Sequence, residues 1–258
     1  LNASGLPLAH SGGTDLSHCI LDNDGCIHGI CVLIREGDRL SMGGDPLPIP
    51  LGIVPDFEET LSVRFRTSPL VETPNVEDMI RAGYNLGGWE SQMIDLMQSD
   101  AALRADVGHG FRARINKGLR LYTISDEPSG VLALRALHIE CAGRQTRSDA
   151  TWLMQEEWVT QGRALVLIAS FDGVAVAGVF FNVYKGGAYY ATSAHKPDAP
   201  NAMHALIWAA MLRLKERGVE RLELGWQERD GDTEKDKGIA LFKRGFGGEP
   251  KRILVLER

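Results

Sequence analysis

The sequence predicts an α/β fold built on a mixed, mostly antiparallel sheet, and three features carry that expectation. Residues 163–196 alternate apolar runs with tight-turn pairs, the pattern of a three-stranded antiparallel meander. A long apolar helix follows over 202–217, closed by Gly218 with Lys215 and Arg217 in its last turn. The strand RLELGW (221–226) and the last strand RILVLER (252–258) then bracket Phe242-Lys243-Arg244-Gly245-Phe246-Gly247-Gly248. Three strands, a helix, a strand, a polar connection and a last strand require a mixed sheet with the long helix packed on one face.

The elements follow in chain order. Residues 18–39 read as strand, turn, strand, with HCIL entering the turn-forming Asp22-Asn23-Asp24-Gly25 and leaving through IHGICVLIRE. In the next stretch Pro46, Pro48 and Pro50 have no N–H to offer a ladder, so it reads as a sheet edge or an extended wall. ETLSVRFR (59–66) is either a short strand or a helix start, since its periodicity does not decide. Helices are expected over 75–83 and, from apolar residues at helical spacing, over 89–103. A basic helix over 110–118 leads into a strand, and two more helices cover 129–140 and 149–161. The last should bury Trp152, Met154, Trp158 and Val159. ERDGDTEKDKG (228–238) reads as a polar loop and FKRGFGG as a turn shaped by its glycines.

Composition narrows the function. At 258 residues, 44% hydrophobic and 24% charged, the chain is long enough for a sizeable core, as one large domain or two small ones. A net charge of −6 gives no global attraction to polyanions, so any such partner must be met by local basic patches. No run approaches eighteen apolar residues, which argues against a membrane-spanning helix, and LNASGLPLAH does not read as a signal peptide. Cys19, Cys26 and Cys31 lie near His18 and His28 but lack paired-ligand spacing, so they read as strand cysteines rather than a metal site, and a reducing cytoplasm is the expected compartment.

Local charge supplies the candidate site residues. Lys243 and Arg244 stand beside glycines that let a backbone turn tightly, and both could stabilise a phosphate or a developing oxyanion. Between Arg104 and Arg120 five cations face one acid, Asp106; Arg114 and Lys117 belong to this run, which is either a solvated helix face or a binding patch. Arg144 and Arg147 flank Gln145 and Thr146 just before a helix, where an anion could bind; alternatively Ser148 or Asp149 caps the helix and the arginines are solvated. Candidate proton carriers are His138, Glu140, Asp149, His195 and His204, of which His195 follows the third meander strand. No Ser-His-Asp or Cys-His arrangement is evident, so no covalent acyl-enzyme is expected.

Read together, the meander LIASFDGVAVAGVFFNVYKGGAYYATSA, the helix with Asn201, His204 and Trp208, LKERGVERLELG and FKRGFGG resemble the acyltransferase fold of the Gcn5-related N-acetyltransferases. Within it they are most similar to the FemAB group of aminoacyltransferases, over about residues 100–258. The resemblance implies tandem halves, a divergent one over 1–100 and a better-matched one over 101–258, with the cleft at their junction. It also implies transfer of an aminoacyl group from aminoacyl-tRNA to an amine of a cell-wall precursor or small molecule. That resemblance places Lys243 at the reaction centre; from position and charge, His195 is the expected catalytic partner, and Arg114, Lys117, Arg144, Arg147, Arg244 and Asn201 are expected to bind substrate. No bound cofactor or metal is implied, since the charged tRNA is a co-substrate. The alternative is an acetyl-coenzyme A-dependent N-acetyltransferase of an amino sugar or other small amine. Against it, Lys196-Pro197-Asp198-Ala199-Pro200-Asn201 replaces the pyrophosphate signature Q/R-x-x-G-x-G/A at the start of the main helix.

Overall fold

The computed structural model describes residues 14–16, 18–21, 26–31, 33–40, 47–48, 62–67, 76–227 and 233–258. The chain divides into two compact units, 1–89 with 252–258, and 90–251. The boundary expected at residue 100 thus stands beside one at 89/90, and the last seven residues return to the first unit.

In the first unit β1 (Thr14–Asp15), β4 (Ile34–Glu36), β5 (Arg39–Leu40), β7 (Ser62–Arg66) and β14 (Glu249–Glu257) lie in that order. All neighbours are antiparallel except β5 and β7, which run parallel. β2 (His18–Leu21) and β3 (Ile27–Cys31) form a separate hairpin, and β6 (Leu47–Pro48) pairs with β7. The undecided ETLSVRFR resolves as β7: Val63 and Phe65 are buried while Ser62 and Arg64 are exposed, the period-two signature of a half-buried strand. They pack with Ile34, Leu40, Tyr84, Leu256 and Met79 of helix α1 (Val76–Arg81). Cys31 is buried and Cys26 exposed; the Asp22–Gly25 turn, the side chains of His18, Cys19 and His28, and most of the proline-rich stretch lie outside the described residues.

The second unit carries the expected meander. β10 (Ala164–Phe171), β11 (Val174–Tyr184) and β12 (Gly187–His195) are antiparallel neighbours, flanked by β9 (Thr123–Ser125) on one side. β13 (Arg221–Gln227) pairs parallel with β12, and residues 90–95 of β8 (Asn85–Asp95) pair antiparallel with β13. Asp172-Gly173 and Lys185-Gly186 all take positive φ, as two-residue hairpin turns demand. Strand alternation then splits the core. Leu165, Leu167, Val179 and Phe181 face α3 (His109–Leu121) and α6 (Ala202–Glu216). Val166, Ile168 and Phe180 face α4 (Gly130–Ala142) and α5 (Asp149–Thr160). Trp152 and Val159 of α5 are buried as expected, with Trp158 packed at the edge of the same core.

Two expectations need correction. The helix expected over 89–103 is instead β8 followed, from Asp100, by α2 (Asp100–Asp106), which Ser99 caps through the Ala102 N–H. Ser91, Gln92, Met93 and Ile94 are all buried, so β8 is covered on both faces and shows no alternation; its pairing with β13 decides its state. The second concerns the polar loop and the glycine turn. From Thr233, whose side chain accepts from the Asp236 N–H, α7 (Glu234–Arg244) runs through Phe242, Lys243 and Arg244. The glycines therefore follow a helix end.

One glycine couples the helices to the site. A Cβ on Gly118 of α3 would sit 2.5 Å from the Asn201 carbonyl oxygen and 2.8 Å from Ala205 Cβ, so α3 and the start of α6 touch through bare backbone. Gly118→Ala is expected to destabilise the protein by about 1–3 kcal/mol. The check is a lower Tm in thermal melts.

Candidate active site

β12 and β13 pair only over Gly187–Tyr189 and Arg221–Glu223. Beyond that point Tyr190, Ser193 and His195 of β12 line a cavity of about 610 Å³, closed by the start of α6 and by α7. Most of its lining is apolar (Pro197, Ala199, Pro200, Met203, Ile239, Phe242), and its cationic groups are Lys235 and Lys243. The β12 face is set by a bulge at Ala191, across from Phe180 and Phe181. Tyr190 thereby packs with the α6-side core, and Thr192 lies on the far side of the sheet, opposite Phe180.

Lys243 is half-buried, and its Nζ donates to the Trp226 carbonyl. That carbonyl is presented by a second bulge, where β13 loses register with β8 between Glu223 and Trp226 and Gly225 takes φ +79°. A Cβ on Gly225 would stand 3.4 Å from the Tyr189 hydroxyl and 3.6 Å from Lys243 Nζ. Burial pulls the ammonium of Lys243 down to about 8, against the opposing pull of Glu223, so it exchanges a proton near neutral pH. Gln92 Nε2 donates to the Gly247 carbonyl at 2.7 Å and Gln227 Nε2 to Gln92 Oε1 at 3.0 Å, a buried bridge that fixes the end of the FKRGFGG segment.

His204 of α6 lies among Phe111, Phe242 and Phe246, with ring centroids 4.9, 5.3 and 6.1 Å away. Burial first, then the charge of Arg114, pull it down to about 4, so the imidazole is neutral at pH 7. Its buried Nε2 has no hydrogen-bond partner among the described residues. Burial pushes the Tyr190 hydroxyl up to about 12 despite a hydrogen bond with Ser193.

The cavity brings together Lys243, His195 and Asn201 of the expected site residues. His195 is exposed at the end of β12, its carbonyl accepting from the Cys141 thiol at 3.2 Å. Asn201 starts α6 with φ 65° and makes no side-chain capping bond. Arg114 and Lys117 are exposed on α3, and the Arg114 guanidinium lies 5.8 Å from the Phe111 ring centroid. Arg244 Nε turns back to the Ala240 carbonyl at 3.3 Å. Arg144 and Arg147 are not brought to the cavity. Ser148 caps α5, Arg147 donates to Thr192 Oγ1 at 2.6 Å and stacks on Trp152, and both arginines belong to the α4–α5 side of the sheet. The sequence does not single out Tyr190, which lines the cavity, nor Phe111, Glu223 and Ser91, which stand behind His204 and the β13 bulge; Gly225 inside an apolar strand is the one local signal, since it marks a bulge.

The parallel pair β12–β13 thus parts past Tyr189, and the lysine of α7 reaches the cavity beside it. A family model described as an acetyltransferase (GNAT) domain matches residues 109–237, half of the chain, and the protein belongs to that family. Among solved structures it is similar to FemX, with a TM-score of 0.66 and 14% identity over 96% of this chain and 90% of that one. It is similar to L-PGS from Bacillus licheniformis, with a TM-score of 0.61 and 16% identity over 99% and 91% of the two chains. A GCN5-related glucosamine N-acetyltransferase region in a fungal multi-domain β-N-acetylglucosaminidase gives a TM-score of 0.53 and 13% identity over 98% of this chain and 34% of that one. At these identities the likeness is one of fold, and at that level the FemAB resemblance holds. No curated protein matches the sequence. Among the described residues no helix is long and apolar enough to cross a membrane.

Proposed function

We propose that this acyltransferase moves an aminoacyl group from aminoacyl-tRNA to an amine of a cell-wall precursor or small molecule, in the cytoplasm and without a covalent enzyme intermediate. The first unit would act as a divergent copy of the second. The observation that carries the choice of donor is the turn entering α6. There Pro197 and Pro200 have no N–H, while those of Lys196, Ala199 and Ala202 bond to Val176, Lys196 and Ala199 carbonyls. A coenzyme A diphosphate asks for free, converging backbone donors at this position. The two prolines and these internal bonds reduce the donors on offer, which favours an ester on a tRNA end, since that makes no such demand.

In this reading a neutral amine attacks the ester carbonyl. A C–N bond forms and the C–O bond to the ribose breaks. The Lys243 ammonium, fixed by the Trp226 carbonyl, stabilises the oxyanion and lies close enough to its own titration to give its own proton to the departing ribose oxygen. His195 at the rim takes the proton lost by the amine, and exchange with solvent returns His195 to its neutral form and Lys243 to its ammonium form. The exposed cations of α3, Arg114, Lys117 and Arg120, supply a local basic face for the tRNA in a chain of net charge −6.

The test is incubation of the purified protein with charged tRNA and candidate amines, with the product read by mass spectrometry. Transfer is expected, together with tRNA binding that weakens at least tenfold between about 50 and 200 mM salt. Failure to load any amine overturns the donor assignment. The family match favours one second reading, an acetyl-coenzyme A-dependent N-acetyltransferase. It predicts a higher Tm with millimolar coenzyme A, and an unmoved melt counts against it.

A further inference from the structure

The cavity surrounds Lys243 with groups that do not favour a cation. From β12 come Tyr190, neutral because burial holds its proton, and the exposed His195; from α6 comes the neutral His204; from its own helix comes a second ammonium, Lys235. The acid that acts on it is Glu223 of β13. This carboxylate is 3% exposed and sits between the buried Leu222 and Leu224. Burying a carboxylate in a strand of leucines is costly unless it is paired or hydrogen-bonded. Here Ser91 Oγ, fully buried on the adjacent β8, donates to Glu223 Oε1 at 2.8 Å.

The β13 bulge places this carboxylate and the lysine's hydrogen-bond acceptor on one short segment. Glu223 is the last residue in register before the break, Trp226 the first after it, and Gly225 between them takes the positive φ that the turn requires. Lys243 Nζ bonds the Trp226 carbonyl and would lie 3.6 Å from a Cβ on Gly225, two residues from Glu223. We infer that Glu223, fixed by Ser91, is the positioning residue that keeps Lys243 in its charged form within the cavity. The transfer chemistry assigned to Lys243 rests on the proposed function; the role of Glu223 rests on the bulge, where Ser91, which holds the carboxylate, is paired with Trp226, whose carbonyl holds Lys243, together with the pull of Glu223 on the ammonium. With its ordinary value lowered to about 8, Lys243 is a cation by roughly ten to one at pH 7. Loss of the Glu223 charge takes away that opposing influence and leaves desolvation to favour the neutral amine.

The experiment is a pH titration of lysine side-chain ¹³Cε signals in the intact, substrate-free chain, with Lys243 assigned by its absence in Lys243→Arg. Glu223→Gln keeps an acceptor for Ser91 and is expected to move the Lys243 midpoint down by about one pH unit or more. Glu223→Asp keeps the charge and is expected to stay near the wild-type midpoint. An unmoved midpoint in Glu223→Gln overturns the inference. Should that variant not fold, Ser91→Ala replaces it; a smaller shift in the same direction is expected, and none overturns the inference. Charged-tRNA assays then separate the two ideas. Absence of transfer with a shifted midpoint removes the proposed donor alone, and transfer with an unmoved midpoint removes the role of Glu223 alone.

Discussion

Lys243→Ala is expected to lower kcat for acyl transfer by roughly 10²- to 10³-fold, the scale seen when an oxyanion donor is removed. The side chain reaches the cavity from the last turn of α7 and is held by one backbone carbonyl, so its loss opens space in a cavity that already exists. Thermal melts of the variant should therefore stay close to wild type, which separates a chemical from a structural effect. Lys243→Arg keeps the charge on a longer, planar group that does not fit the Trp226 carbonyl in the same way, and should recover only part of the rate. The pH profile supplies the sign. The cation is the active form, so the rate should fall as pH rises through about 8, while the acid limb reports the acceptor amine, which must be neutral to attack. Lys243→Arg, whose guanidinium does not titrate in this range, should lose the alkaline limb. A Lys243→Ala enzyme with wild-type kcat would remove this residue from the reaction.

Gly248→Ala is expected to be the most damaging single methyl in the second unit. Its Cβ would stand 2.0 Å from the Met93 carbonyl oxygen, and its φ of +75° is one that side chains rarely adopt. Neither the backbone of β8 nor that of the segment can yield easily, because the Gly248 N–H donates to Asp106 Oδ2 at 2.6 Å and Gln92 holds the neighbouring Gly247 carbonyl. Overpacking and left-handed strain together suggest about 3 kcal/mol, or a Tm lower by roughly 6–12 °C. Gly110→Ala, in α3 with nothing within 4 Å of the added methyl, is the matched control and should be neutral or slightly stabilising. Equal melts for the two variants would show that the close approach at Gly248 is not a constraint.

Legibility differs among the elements of the second unit. The meander was readable because Asp172-Gly173 and Lys185-Gly186 write their turns in local chemistry, and strand alternation does the rest. The long helix was equally plain, from its apolar run to Gly218 at positive φ. β8 reads as helical because Trp89, Met93, Leu96 and Met97 recur at helical spacing, while its buried residues include the polar Ser91 and Gln92 and show no alternation that would mark a strand. α7 was misread because its first turn is polar and charged, and its helicity depends on the Thr233 cap and on burying Ala240. The two arginines before α5 show how far charge pattern alone can lead: Arg144 and Arg147 look like an anion site beside a helix start, yet one bulge at Ala191 puts Thr192, the partner of Arg147, on the far side of the sheet from Tyr190.

By itself the sequence determined the meander, the helices α3 to α6 and the lysine of FKRGFGG as the residue to watch, because turns, caps and apolar periodicity are written within a few neighbouring residues. Only the tertiary structure decided what surrounds that lysine. Trp226, Glu223 and Ser91 lie 17, 20 and 152 residues from it, and a strand bulge brings the first two to one segment. The charge state of Lys243 follows from burial and from that carboxylate, and both are properties of the folded packing that no window of sequence contains.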